Sequence, residues 1–301
     1  MIKKLAGSVR QYKLPSILTP LLVLCENILE VMIPLFMASL IDYGIDPGNM
    51  SEITRYGSYL VICALLVILF GVLAGRFAAV ASAGFAANLR QDIFYRVGTF
   101  SFSNIDKFSG ASIVTRLTSD IQNMQMAYQV IIRLAVRAPM MMILAFIFSA
   151  RINLNLALIF IAVTPVLGGG PAFIISRAFK HFKQVIKTYD RLNEDVQENL
   201  RGIRGVKSFT REPYEKKKFG DISSDIFRLF SKAEKMVAFN MPLMQICVYS
   251  CLLLVSWFGA RMIVESGNNA DLGLTTGQLM SFMTYTMQIL GALMLLSMVF
   301  V

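Results

Sequence analysis

Tyr56-Gly57-Ser58-Tyr59-Leu60-Val61-Ile62-Cys63-Ala64-Leu65-Leu66-Val67-Ile68-Leu69-Phe70-Gly71-Val72-Leu73-Ala74-Gly75 contains no Asp, Glu, Lys or Arg. About 20 such residues, coiled as a helix, cross the hydrocarbon core of a bilayer with every backbone polar group satisfied internally. The run therefore predicts a membrane span. Arg76 follows it, and then small residues from Ala78 to Ala87 that permit close helix contact. Five further apolar stretches flank it: Leu14 to Ile41, Ala138 to Ala150 extended back to about Tyr128, Ile152 to Ser176, Met236 to Ala260, and Leu272 to Val301. Of 301 residues, 55% are hydrophobic and only 16% charged, against about a quarter charged in soluble domains. A soluble globular enzyme is excluded, and the expected fold is an all-α membrane protein with six transmembrane helices.

The connections alternate in length. Arg151-Ile152-Asn153 joins spans three and four, whereas Arg177 to Lys235 separates spans four and five, and a long polar segment separates two and three. Of the 29 Lys and Arg, 23 lie in the first 13 residues and the two long connections, and only Arg55, Arg151 and Arg261 on the other side. By the positive-inside rule the amino terminus and both long connections are cytoplasmic, in a multi-pass protein of the plasma membrane. The net charge of +10 is thus topological, and no nucleic acid is needed to explain it. The first stretch is too long for a signal peptide and is expected to remain as an anchor.

Within the second connection, Leu192, Val196, Leu200, Ile203 and Val206 recur at helical spacing, which predicts a helix running on from span four far beyond the membrane. Some twenty extra residues at about 1.5 Å each project roughly 30 Å before the chain turns back. Helices are expected at about 14–41, 56–100, 118–150, 152–209, 221–265 and 272–301.

The two turning points read Phe102-Ser103-Asn104-Ile105-Asp106-Lys107-Phe108-Ser109-Gly110 and Arg201-Gly202-Ile203-Arg204-Gly205-Val206-Lys207-Ser208-Phe209-Thr210-Arg211-Glu212-Pro213-Tyr214-Glu215. In this order, with six spans, the chain resembles over its whole length the transmembrane domain of exporter-type ABC transporters. The nearest wording is that of bacterial multidrug half-transporters, including heterodimer-forming members. The resemblance implies coupling helices near Asn104 to Ser112 and Thr210 to Lys218. Asn104, Asp106, Lys107, Phe108, Ser109, Thr210, Arg211, Glu212, Pro213, Tyr214 and Glu215 would meet nucleotide-binding domains there. It also implies a second half-transporter, with the fourth and fifth helices crossing to it, and a small amphiphilic or drug-like substrate. Taken singly, each turn also reads as a solvated loop.

No G-x-x-x-x-G-K-[ST] occurs; Gly202-Ile203-Arg204-Gly205-Val206-Lys207-Ser208 has the wrong spacing. No cofactor is expected in this chain, and ATP and magnesium would belong to a nucleotide-binding domain absent from it. Because the apolar run still continues at Phe300-Val301, a longer half-transporter is expected.

Charges inside spans are confined to the first three. Glu26 and Glu30 lie one turn apart on one face of span one, and Arg133, Arg137 and Gln288 fall at comparable depth. Such groups are costly in a bilayer unless paired or facing water. They are the candidate substrate-cavity residues, with Met283 and Met287 as adaptable neighbours. A purely structural Glu–Arg network is the competing reading. Met236, Met241, Met244 and Met294 fit either a cavity or ordinary packing, and Gly168-Gly169-Gly170-Pro171 either a hinge or a packing feature. Cys25, Cys63, Cys247 and Cys251 all lie in apolar stretches and read as small hydrophobes, and His181 as structural or solvated. Two other functions stay open: a proton-coupled secondary transporter using Glu26 and Glu30, and a membrane scaffold that transports nothing.

Overall fold

The computed structural model describes residues 7–101, 110–268 and 273–300. Among them there is no strand, and six helices are long and apolar enough to cross a membrane. In chain order the helices are α1 (Lys13–Leu40), α2 (Met50–Gly98), α3 (Gly110–Thr115), α4 (Ile121–Ile152), α5 (Leu154–Arg201), α6 (Ile203–Ser208), α7 (Glu212–Ala238), α8 (Asn240–Ser266) and α9 (Thr276–Phe300). A π-helical turn, Ile41–Ile45, closes α1, and another, Arg116–Asp120, leads into α4.

Local chemistry sets the boundaries. Asn49 caps α2, its side chain accepting from the Ser51 N–H. The apolar stretch of the second span is preceded by a further turn and a half of helix, from Met50 onward, that the charged residues Glu52 and Arg55 mask in sequence. The arm leaving span four ends at Arg201, earlier than its apolar periodicity suggests, because Gly202 breaks the helix and α6 restarts at Ile203. Pro213 sits in the first turn of α7, where its missing N–H is harmless.

The chain divides into two compact units, 1–161 with 251–300, and 162–250. In the first, α1 packs against α2, α4 and α9, and α4 packs against α2 and α9. The approach of α2 is close because Ala74, Ala78, Ala81 and Ser82 are fully buried. At Gly84 a Cβ would overlap the Tyr12 ring, so only glycine lets the segment before α1 lie on α2. That segment is also fixed by polar contacts: Ser8 Oγ donates to Asp92 at 2.9 Å, and Asn88 Nδ2 donates to the Ser8 carbonyl at 2.8 Å. Beneath it Val9, Phe85, Ala86, Leu89 and Ile121 form a core cluster, and the Phe85 ring stacks on Tyr128 at 4.6 Å. In the second unit, Ala178, Val185, Ile226 and Ala233 are buried between the arms, and the Phe182 ring meets Phe230 edge-on at 6.0 Å.

Candidate functional site

The charged side chains of α1 and α4 come together. One guanidinium, Arg137, donates from Nη1 to Glu26 Oε1 at 2.5 Å and from Nη2 to Glu30 Oε2 at 2.8 Å. The i,i+4 spacing of the carboxylates places both on the α1 face that meets α4, within the span of one fork. Asn27, fully buried, donates from Nδ2 to the Arg137 carbonyl at 3.0 Å and ties the same two helices.

The two carboxylates differ in surroundings. The Glu26 side chain is 6% exposed and that of Glu30 30%. Glu26 lies against α2, where a Cβ on Gly71 would come within 3.3 Å of its Oε1. Glu30 instead opens into a cleft of about 320 Å³, lined by Arg137, Met141, Gln288, Gly291, Ala292 and Leu295 among others.

Pro34 explains how α9 engages this site. It has no N–H, so the carbonyl of Glu30, four residues back, lacks its helical donor. Gln288 Nε2 donates to that carbonyl at 3.3 Å. One and two turns along α9, the Tyr285 hydroxyl donates to the Val31 carbonyl at 3.0 Å and Ser281 Oγ to the Pro34 carbonyl at 2.5 Å. Glu26 Oε2, Asn27 Oδ1 and Gln288 Oε1 remain as buried acceptors without a hydrogen-bond partner. Two carboxylates against one guanidinium leave the triad one negative charge in excess if all are ionised. Of Glu26, Asn27 and Gln288 only Gln288 lines the cleft, beside Glu30, and the side-chain oxygens of these two are acceptors for a group carrying N–H donors.

Arg133 points elsewhere, its Nη1 lying 3.4 Å from where a Gly75 Cβ would be. Met283 is half-buried and Met287 is 51% exposed, and neither lines the cleft. Met141, Ala292 and Leu295 do line it, and no sequence signal had singled them out. Nor had any singled out Asp42, which caps α9 by accepting from the Gly277 N–H at 2.9 Å and the Thr275 hydroxyl at 2.6 Å. A Cβ at Gly277 would overlap the Ala38 carbonyl, so glycine is what admits this close approach.

At the other end of the long helices, Asn104, Asp106, Lys107, Phe108 and Ser109 lie outside the described residues. In the second turn, Thr210 adopts φ +51°, a conformation that a β-branched residue rarely takes. Arg211 follows, its N–H bonded to the Val206 carbonyl at 2.9 Å, and Glu212 and Pro213 open α7. Phe209 is 79% and Tyr214 58% exposed, so the turn carries two apolar tips, and the first of them lies outside the coupling segment that the resemblance implies, which begins at Thr210. Behind it, Asn199 Nδ2 donates to Glu215 Oε2 at 3.0 Å, and Lys218 binds Asp195 and, at 3.3 Å, Glu198. These groups lie outside the apolar part of the helices, which on the return resumes only at Met236. The hydrogen bond to Asp195, above all, raises the Lys218 pKa above its ordinary value.

His181 sits in α5 with a buried, unpartnered Nδ1. Cys25 is exposed, Cys63, Cys247 and Cys251 are buried, and no group of three His, Cys, Asp or Glu placed to hold a metal occurs among the described residues.

Comparison with known proteins agrees with this architecture. The family model for the ABC transporter transmembrane region matches residues 16–293. An uncharacterised ABC transporter ATP-binding protein of Bacillus subtilis (strain 168) is 27% identical over 292 residues, 97% of this chain and 50% of its own length. A counterpart in Mycobacterium tuberculosis (strain ATCC 25618 / H37Rv) is 25% identical over 305 residues, 99% of this chain and 50% of its own. An ATP-dependent lipid A-core flippase of Pseudomonas syringae pv. tomato is 26% identical over 184 residues, 60% of this chain and 30% of its own. The chain spans about half the length of the first two relatives. With six apolar helices among the described residues, three of them 48 residues or longer and so extended far past a bilayer's thickness, and a family match over nearly its whole length, the chain belongs to the ABC transporter transmembrane-region family.

Proposed function

We propose that this chain is the substrate-translocating membrane domain of an ATP-driven exporter of amphiphilic, cationic compounds. It works with nucleotide-binding domains, which bring ATP and magnesium, and with a second half-transporter, identical or not. The observation that carries this reading is the pair of arms α5 and α7 ending in the exposed turn around Phe209 and Tyr214. A helix of 48 residues spans about 72 Å, more than twice a hydrocarbon core of about 30 Å. A carrier working wholly within the bilayer has no need of that length, whereas a machine driven by cytoplasmic domains does. Phe209 and Tyr214 provide apolar anchors for docking, and Thr210 to Glu215 with Asn104 to Ser109 are assigned to the coupling contacts. The charge distribution supports a cytoplasmic amino terminus, and the membrane assigned to it is the plasma membrane.

The substrate class comes from the cleft: Glu30 is its accessible carboxylate, Gln288 its polar side chain, and Met141 and Leu295 its apolar surface. The proton-coupled reading is weaker, because Arg137 holds both carboxylates it would use.

The test replaces Phe209 and Tyr214 together with Ala in the full-length protein. Basal ATP hydrolysis should persist while transport and substrate-stimulated hydrolysis fall about ten-fold or more, the loss expected when anchoring side chains leave an interface. Unchanged transport would refute the docking assignment.

A further inference from the structure

Outside the cleft and the docking turn, α5 carries an organised charged surface. Arg177, Lys180, Lys183, Lys187 and Arg191 of α5 are all exposed. At about 100° per residue they fall within roughly 120° of arc. No Asp or Glu interrupts the chain from Arg177 to Tyr189, and none of the five forms an ion pair among the described residues. Ala178, Val185 and Phe182 mark the face of α5 that packs on α7, and the basic stripe is on roughly the opposite side of the helix. It is left unpartnered in this unit.

Its position along the helix is informative. Ile152 to Ser176 is free of charge, and Arg177 is the first cation after it. That stretch, at about 1.5 Å per residue, covers about 37 Å, a little more than a hydrocarbon core of about 30 Å, so Arg177 falls in the headgroup layer. Lys180 and Lys183 follow about 4.5 and 9 Å further out, and Lys187 and Arg191 about 15 and 21 Å. The Arg177 guanidinium lies over the Phe173 ring, 5.1 Å from its centroid, and Phe173 is 61% exposed. An apolar ring just below a cation suits a membrane–water boundary. A general positive-inside bias needs cations on this side of the membrane but does not gather them on one face of one helix.

We propose that Arg177, Lys180 and Lys183 form a binding site for the phosphate groups of anionic phospholipids in the adjoining leaflet. The three lie within a screening length of the surface, about 8 Å at physiological salt, or reach it by bending the side chain back. Lys187 and Arg191 stand too far out to contribute comparably. The proposal rests on the reading that α5 leaves the bilayer near Arg177.

The test uses the full-length protein in nanodiscs of mixed phosphatidylglycerol and phosphatidylcholine. Spin-labelled lipids of each headgroup report the relative association at the protein surface. The parent protein should prefer phosphatidylglycerol, and R177Q/K180Q/K183Q should lower that preference about five-fold or more, whereas K187Q/R191Q should leave it nearly intact. A preference that survives the triple substitution overturns the site. So does an equal loss in the double variant, which would mean that the preference follows the overall charge of the arm and not a site at Arg177, Lys180 and Lys183. Separately, Lys187→Cys should react with a membrane-impermeant maleimide and Ile174→Cys should not. Failure of that pattern removes the assumed membrane boundary and the proposal with it, while correct labelling with unchanged lipid preference refutes the proposal alone.

Discussion

Two ion triads in this chain share a plan and differ in setting. In one, Glu26 and Glu30 of α1 share Arg137 of α4; in the other, Asp195 and Glu198 of α5 share Lys218 of α7. Each has one buried carboxylate, Glu26 at 6% and Asp195 at 3% side-chain exposure, and one more open, Glu30 at 30% and Glu198 at 78%. The membrane triad uses a planar guanidinium that satisfies two carboxylates at once, at 2.5 and 2.8 Å. The arm triad uses an ammonium that binds Asp195 closely and Glu198 only at 3.3 Å. The same arrangement should therefore be essential where water is excluded and dispensable in part where water can replace it.

The largest expected effect breaks the membrane triad. Arg137→Met leaves Glu26 buried without its counter-charge, a loss of about 3–5 kcal/mol by analogy with broken buried pairs. Thermal unfolding of the purified protein should show it, and adding Glu26→Gln should recover part. Arg137→Lys keeps the charge without the fork and should fall between parent and Met variant. A Met variant as stable as the parent would mean that the triad is hydrated and contributes nothing to packing.

A smaller loss is expected for Lys218→Met in the arms, where Lys218 is partly open to water. Its sign with pH follows from the raised pKa. The attraction is complete below the ordinary lysine pKa and disappears only as pH rises through the higher folded value. The melting difference between parent and variant should thus stay constant from neutral to mildly alkaline pH and shrink only under strongly alkaline conditions. A difference that vanishes near neutrality would break the assignment.

How much of this was legible in sequence depended on whether the information was local. Charge-free runs gave the spans, and i,i+4 spacing put Glu26 and Glu30 on one face. Arg133 and Arg137 are also i,i+4, yet the first faces Gly75 and the second the carboxylates. Their choice of neighbour depends on how α4 is rotated against α1 and α2, a tertiary quantity. Methionines 283 and 287 group with Gln288 by chemistry, but helical phase counted from Gln288 points to Gly291, Ala292 and Leu295, the residues that line the cleft. Phase along α9, not side-chain type, was the informative local signal. Asp42 was out of reach, because its partners Thr275 and Gly277 lie more than 230 positions away in sequence.

The smallest stability effects are expected at the two outer carboxylates, and they separate structure from function. Glu198→Gln removes a 3.3 Å contact from a largely exposed side chain, so stability should change by no more than about 0.5 kcal/mol. Glu30→Gln should cost somewhat more, about 1 kcal/mol, since an amide still accepts a hydrogen bond from Arg137 but carries no charge. Transport should diverge further than stability does. Glu198 belongs to the arms and lines no part of the cleft, and its variant should move every substrate at the parent rate. Glu30 lines the cleft beside Gln288, and its variant should transport cationic compounds several-fold more slowly while neutral compounds of similar size continue. Removing one charge from a triad with two carboxylates and one guanidinium cancels the excess that would attract a cation, while leaving the shape and apolar lining of the cleft in place. Equal slowing of neutral and cationic compounds by Glu30→Gln would make Glu30 a brace between α1 and α4, and the two triads would then differ only in how well water reaches them.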